Sequence, residues 1–542
     1  MPSKTASLKT IDACMQFAIQ NVVRFGDTDI FPYPIERQIV RDCEKDVLKL
    51  LEVIWKDFEK MPIDMAIEHE RLLQAVGYTG FRQGTQIDTT WNIYLLGLVL
   101  NIGEDIEKSR IPQEDSIVFS YRFSPDNKEK TIFSKDSGWV SFQKRALELA
   151  QENEYVLVCD ISDFYPRIYH HRLENALKKA TTKSKVIKQI KWILSDLSKG
   201  VSYGLPVGGP AARLLSELLL NRVDRLMRQE KITYCRFVDD YYVFASSKEE
   251  AYAYLVNICE MLLENEGLTL QKTKTRIMSK AEFLESSTFN DDKEPDNPEE
   301  LARQNFLRLH IHFDPYSATA EEDYEALKKE LSKFDIVGML AKEMRKTRIS
   351  EGLTRKLIKA IGFLPNKPRD GAVASLVENL HSLYPVFPTV MLVIRGILKD
   401  LSDATRETVF HNIRELISSD SYLISVPVNL SFAIRVLAED DSEETDSVLI
   451  GVYKKTPYMS VKRDVILTLA KHNADYWISD KLKKFNSLTL WERRALIIAS
   501  YILEDEGSYW RDRIKSSLQP FDKIVMQWAA TQKQKRSPID LV

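Results

Sequence analysis

The chain has 542 residues, 44% of them apolar and 29% charged, which is enough apolar material for two or more domains with full cores and excludes a disordered chain. Its net charge of −3 argues against a protein that coats nucleic acid indiscriminately, so any groove for nucleic acid has to be locally basic. No run of about 18 apolar residues appears, and the N-terminus MPSKTASLKTIDACMQF lacks the basic, apolar and small-residue regions of a signal peptide; a cytoplasmic protein with no membrane partner is expected.

The cysteines, Cys14, Cys43, Cys159, Cys235 and Cys259, are scattered and never form a C-x-x-C pair, which points away from a disulfide framework or a thiolate zinc site. The histidines show no H-E-x-x-H, His170 and His171 are expected to begin a helix, and no G-x-S-x-G occurs.

Up to residue 285, strand-like runs such as YVLVCDI and YCRFV mix with helical stretches such as HRLENALKKA and AARLLSELLLNRVDRLMRQE, an α+β pattern. The apolar run Tyr155 to Cys159 predicts a buried strand, with Asp160 at its end, where a buried charge is costly without a partner. Further on, YCRFVDDYYVFA sets Asp239 and Asp240 side by side between strand-forming residues. A hairpin turn with its charges facing water would account for that pair. If the two segments are neighbours, however, Asp160 and Asp239 converge, and three carboxylates at one point call for cations between them. Two Mg²⁺ held in this way would activate a hydroxyl nucleophile and stabilise leaving pyrophosphate in an in-line phosphoryl transfer.

The acidic, proline-containing stretch ESSTFNDDKEPDNPEE, Glu285 to Glu300, reads as a linker. Beyond it, apolar residues recur at three and four, as in helices. VKRDVILTLAKHNADYWISDKLKKF resembles WERRALIIASYILEDEGSYWRDRIKSSL, with Tyr476 and Trp477 answered by Tyr509 and Trp510. A repeating helix pair is the signature of a helical solenoid, the alternative being an irregular bundle.

The ordered segments CDISDFY, SYGLPVGGPAARLLSELLL, RFVDD, GLTLQKTKTRI and EFLES resemble the successive palm motifs of reverse transcriptases. GDTDIFPYPIE, Gly26 to Glu36, and FSYRF, Phe119 to Phe123, resemble segments of the abortive-infection (Abi) and defence-associated bacterial branch, whose members can carry HEAT-like helical repeats after the palm. The resemblance implies an α+β right-hand polymerase with fingers and palm over residues 1–285, a linker at 286–300 and an all-α HEAT-like domain at 301–542. It makes Asp160 and Asp239 metal-binding carboxylates, with Asp240 completing the cluster and the Ile161 carbonyl as a further ligand. Asp163 and Phe164 would present backbone amides to the triphosphate, and Tyr165 would lie under the sugar and favour deoxynucleotides. Gly204, Gly208 and Gly209 suit a loop that approaches a base or template strand. Val207 stands where the family more often has Gln, and Phe237 where it often has Tyr. Arg122 is the candidate for a two-pronged triphosphate contact, and Lys274 matches a lysine placed near the triphosphate that could protonate pyrophosphate.

The same resemblance implies two Mg²⁺, with Mn²⁺ as a substitute, dNTP substrates, a role in anti-phage defence and a homo-oligomer. In some relatives the DNA product is primed on the protein's own side chain, a Tyr or Ser hydroxyl replacing the 3′-hydroxyl. One alternative is cDNA synthesis on a non-coding RNA, for which the basic stretches Lys178 to Lys191 and Arg345 to Arg369 are candidate contacts. Another is a catalytically silent scaffold, against which the intact Asp160, Asp239 and Asp240 argue.

Overall fold

The structure, a computed structural model, describes residues 8–60, 66–286, 302–303, 305–307, 309 and 320–534. Apart from Glu285 and Ser286, which end the Lys280–Ser286 helix, the expected linker lies outside the described residues. The chain forms two compact units that do not follow chain order: residues 1–29, 36–69 and 85–293 make one, and residues 30–35, 70–84 and 294–542 the other. Two short segments that the sequence reading assigns to the polymerase half therefore belong with the helical half. Among the described residues, no helix is long and apolar enough to cross a membrane.

In the first unit, β3 (Tyr155–Asp160), β4 (Thr233–Phe237), β5 (Asp240–Ala245) and β6 (Arg276–Ser279) form an antiparallel sheet in the order β4-β5-β3-β6. The register runs from Tyr155 opposite Ala245 to Asp160 opposite Asp240. One core of this unit joins Phe142, Ala146 and Ala150 of the Trp139–Glu152 helix to Val156, Cys235, Phe244 and Phe283. The Lys248–Glu266 helix packs against β3, β5 and β6, and the Pro210–Gln229 helix packs on it in turn. The latter helix starts with Pro at its first position after Gly209, where the missing N–H costs nothing. The Thr89–Asn101 helix is buried at every residue, as its all-round apolar sequence requires, and packs against the Ile11–Phe25, Ser184–Leu197 and Pro210–Gln229 helices.

The second unit includes most of a hairpin of β1 (His69–Val76) and β2 (Gly80–Ile87). The buried Glu70 carboxylate caps the Met459–Lys471 helix: it accepts from the N–H groups of Met459 (2.6 Å) and Ser460 (3.0 Å) and from the Ser460 hydroxyl (2.5 Å). Those N–H groups have no intrahelical partner, and the helix dipole favours the negative charge there. Each helix in the series Glu351–Ala360, Phe387–Ile397, Pro427–Leu437, Met459–Lys471, Leu490–Ala499 and Pro520–Gln534 packs on the next. The intervening helices Asn366–Glu378, Asp403–Ser418 and Glu443–Lys455 form a second row. Between members of the first row run buried pairs, Arg435 with Asp464 at 2.8 Å and Arg494 with Asp522 at 3.1 Å. The repeat seen in the sequence has a structural counterpart. Tyr476 and Tyr509 both face solvent, while Trp477 meets Tyr453 and Trp510 meets Phe485 edge-on, each at 5.1 Å.

Candidate active site

β3 delivers Asp160 at its C-terminal end, directly opposite Asp240 at the start of β5. The β4–β5 turn, Val238 and Asp239, is tied to the same point by the Ile161 N–H, which donates to the Asp239 carbonyl at 3.2 Å. On the other side, Gln271 N–H donates to the Asp160 carbonyl (2.7 Å) and Ser162 N–H to the Thr269 carbonyl (2.9 Å). As a result, carboxylate oxygens of Asp160, Asp239 and Asp240 all lie within 4.8 Å of one another. The Asp-Asp pair does sit at a hairpin, but its charges face a third carboxylate.

Burial, and then the charge of Asp160, pushes Asp239 up to about 6; burial, and then Asp239 and Asp160, pushes Asp240 up to about 7. Lys274 Nζ lies 2.8 Å from Asp160 Oδ2, and that hydrogen bond raises the pKa of the lysine. One ammonium beside three carboxylates leaves negative charge uncompensated. Hard oxygen donors with excess charge, and no nitrogen or sulfur among them, fit a hard divalent cation.

The turn itself is strained. Val238 has φ 56°, a left-handed conformation that costs a β-branched residue about 1–2 kcal/mol. Arg236, fully buried, donates from Nη1 to the Val238 carbonyl at 2.7 Å and pairs with Glu217 (3.0 Å) and Asp224 (2.7 Å). Ser120 Oγ accepts from the Val238 N–H at 2.9 Å and donates to Glu217 at 2.5 Å; Arg110 pairs with Glu217 at 2.7 Å. Sequence reasoning missed this network. Glu217 and Asp224, two helical turns apart on the apolar side of a long helix, hint at buried carboxylates without naming their partners.

Tyr165 is half-buried, its ring 5.4 Å from that of buried Phe164, and the Ser216 hydroxyl donates to its own at 3.5 Å. Asp163 has φ 46° and an exposed side chain at the start of the Phe164–Arg167 turn. The glycine loop is tied back to this turn by Leu205 N–H on the Tyr165 carbonyl and Gly204 N–H on the Ile168 carbonyl, both at 2.9 Å. Gly208 has φ 128°, a conformation that only glycine adopts readily. Together with Asp27 to Asp29 and Arg213, Gly208 lines a cavity of about 320 Å³.

Arg122 does not fit the expected role. It is 1% exposed and donates to the Val118 carbonyl (2.9 Å), the Ile111 carbonyl (2.8 Å) and Glu107 (2.9 Å). It is an interior ion pair, with no face for a triphosphate. Arg213 is the partly exposed guanidinium instead, 2.5 Å from Asp29 and over the Tyr121 ring at 5.3 Å. Much of the first basic stretch is also engaged: Lys178 and Lys191 pair with Glu174 (2.8 and 2.7 Å), Lys188 with Glu59 (2.8 Å), and Lys185 lies over Trp55 (4.0 Å). In the second stretch, Arg355 pairs with Glu351 at 2.9 Å and Arg369 donates to the Leu364 carbonyl at 2.8 Å.

Residues 110–295 match the family model described as reverse transcriptase (RNA-dependent DNA polymerase). No curated protein matches the chain. Among solved structures, apo telomerase from Candida tropicalis is similar at 11% identity and a TM-score of 0.32, over 71% of this chain and 74% of that one. Telomerase from Candida albicans, in complex with the TWJ fragment of telomeric RNA, is similar at 10% identity and a TM-score of 0.30, over 78% of this chain and 70% of that one.

Proposed function

We propose, from the match of residues 110–295 to the reverse transcriptase model, that the chain is a nucleotide polymerase that joins deoxynucleotides by two-metal phosphoryl transfer in anti-phage defence. The observation that carries this reading is the convergence of Asp160, Asp239 and Asp240. These carboxylates and the Ile161 carbonyl would hold two Mg²⁺, or Mn²⁺ in its place, whose chemistry is to acidify the attacking hydroxyl and neutralise charge on the phosphates. Lys274 holds a proton at Nζ beside Asp160 and can release it to departing pyrophosphate. Tyr165 sets a ring under the sugar and excludes a 2′-hydroxyl. The amides of Asp163 and Phe164 and the guanidinium of Arg213, in place of Arg122, bind the triphosphate, and the Gly208 loop lets the base or template approach.

Two rows of stacked helices in the second unit support the HEAT-like reading of that half, which in this proposal builds a homo-oligomer. Priming on a protein hydroxyl is the favoured route, since many of the lysines of the Lys178–Lys191 stretch already have carboxylate or aromatic partners. Asp239→Ala should lower incorporation of labelled dNTPs by at least ~10³-fold, leave thermal unfolding cooperative, and abolish protection against phage in a plating assay. Wild-type incorporation by this variant would overturn the assignment.

A further inference from the structure

Away from the carboxylates, the Pro210–Gln229 and His170–Ala180 helices and the end of the Lys248–Glu266 helix enclose a cavity of about 540 Å³. None of the residues assigned above to catalysis or substrate lines it. Its size is that of a small-ligand pocket.

Two groups in its wall each carry a buried oxygen without a hydrogen-bond partner. Glu266 is 5% exposed, and its Oε2 is sealed with no hydrogen-bond partner. It ends its helix, where the negative end of the dipole opposes a carboxylate, and burial pushes it up to about 7 against the pull of Arg222, Arg172 and Lys179. Asn221 is 7% exposed and donates from Nδ2 to the Ser109 carbonyl at 2.8 Å, which fixes the amide and leaves Oδ1 a buried acceptor without a donor. Unsatisfied buried acceptors cost stability and are rare unless something else supplies the donors. The cavity is also lined by Arg172, Lys179, Arg222 and Arg225. The last three form no ion pair with any described residue, whereas neighbouring Lys178 is held by Glu174 at 2.8 Å. Leu218 and Leu226 add apolar surface to its lining.

Cations, an apolar wall and buried acceptors are the complement of a nucleoside phosphate. Phosphate oxygens suit the guanidinium groups, the base suits the leucines, and the N–H edge of the base suits Glu266 and Asn221. A carboxylate pairs best with two parallel N–H donors, which guanine offers at N1 and N2. We infer that this cavity is a second, non-catalytic nucleotide site that takes a guanine nucleotide, base inward against Glu266 and phosphates outward among the arginines.

The test is equilibrium titration of the full-length protein with GTP in EDTA, which denies the carboxylate centre its metal. One saturable site per chain is expected, with ITP, which lacks the N2 amine, bound about tenfold more weakly or worse. Glu266→Gln keeps the shape and removes a buried charge; it should stay folded and bring the GTP-to-ITP ratio close to one. Arg222→Ala combined with Arg225→Ala should weaken both nucleotides by about tenfold, with basal dNTP incorporation unchanged. Absence of saturable binding, or equal binding of GTP, ITP and ATP untouched by Glu266→Gln, would overturn the inference. So would tighter binding of a mixed-sequence single-stranded RNA than of GTP when the double variant removes it, since the surface would then be a nucleic-acid contact. Because the readout is binding without metal, its failure leaves the polymerase reading standing, and failure of Asp239→Ala leaves this one standing.

Discussion

Asp239 and Asp240 are held at a cost that the protonation state of the metal-free protein should reveal. Both are raised, to about 6 and about 7, by burial and by neighbouring carboxylates. An acid whose pKa is higher in the folded than in the unfolded chain binds more protons when folded, so stability falls as pH rises from the ordinary aspartate value of about 4 to about 7. In EDTA, the wild type should therefore lose on the order of 1–3 kcal/mol relative to Asp240→Asn between about pH 5 and about pH 8, after discounting for partial exposure. Mg²⁺ should raise the wild-type melting temperature more at the higher pH, where the carboxylates are charged. Equal pH dependence of stability in the two proteins would show that burial and the neighbouring carboxylates do not raise Asp240. Tyr165 gives a second test at this scale. Its ring is half-buried, and among the described residues its hydroxyl is engaged only by Ser216, at 3.5 Å. Tyr165→Ala should raise the use of ribonucleotides relative to deoxynucleotides by about tenfold or more, and unchanged discrimination would make it a core aromatic.

The β4–β5 turn presents Asp239 because a buried network holds a left-handed valine in place. Arg236→Ala would leave Glu217 and Asp224 without their shared guanidinium and free the Val238 carbonyl. Breaking a buried pair from one side costs about 3–5 kcal/mol, so urea unfolding should shift by that amount. Under conditions where the variant is still folded, kcat should fall more than KM for dNTP changes, because the network orients the turn and touches no nucleotide. Full kcat in the folded variant would show that the turn holds itself. This network also marks where the sequence stops being legible. Asp160 at a strand end and the Asp239–Asp240 pair are local patterns, and the pairing of two strands was enough to bring them together. Arg236, Glu217, Ser120 and Arg110 lie on separate elements, and nothing local to any of them names the others. Arg122 was misread for the same reason. Arginine is most often at the surface, and its burial depends on Glu107 and on two carbonyls that chain order does not bring to mind.

Across the whole molecule, the change from mixed α+β to all-α was readable because helical periodicity and the Tyr-Trp repeat persist over many residues. The two segments that join the helical unit, residues 30–35 and 70–84, were not readable, because their membership rests on contacts such as the Glu70 cap on the Met459–Lys471 helix. The choice between priming on a protein hydroxyl and synthesis on an RNA template is tested on the intact protein. Nuclease-treated full-length protein, given labelled dNTPs and Mg²⁺ but no primer or template, should make DNA that moves with the protein on a denaturing gel until protease frees it. That result means a protein hydroxyl served as the nucleophile, and since the hydroxyl has only to replace a 3′-OH, the same Asp239→Ala variant must abolish the labelled band. Label that runs free of the protein without protease would mean that priming does not use a side chain. Absence of product, restored by RNA that co-purifies with the untreated protein, would make the enzyme a templated one. Its yield should then fall steeply with salt, because a held RNA strand releases counterions from each phosphate it presents to lysine or arginine.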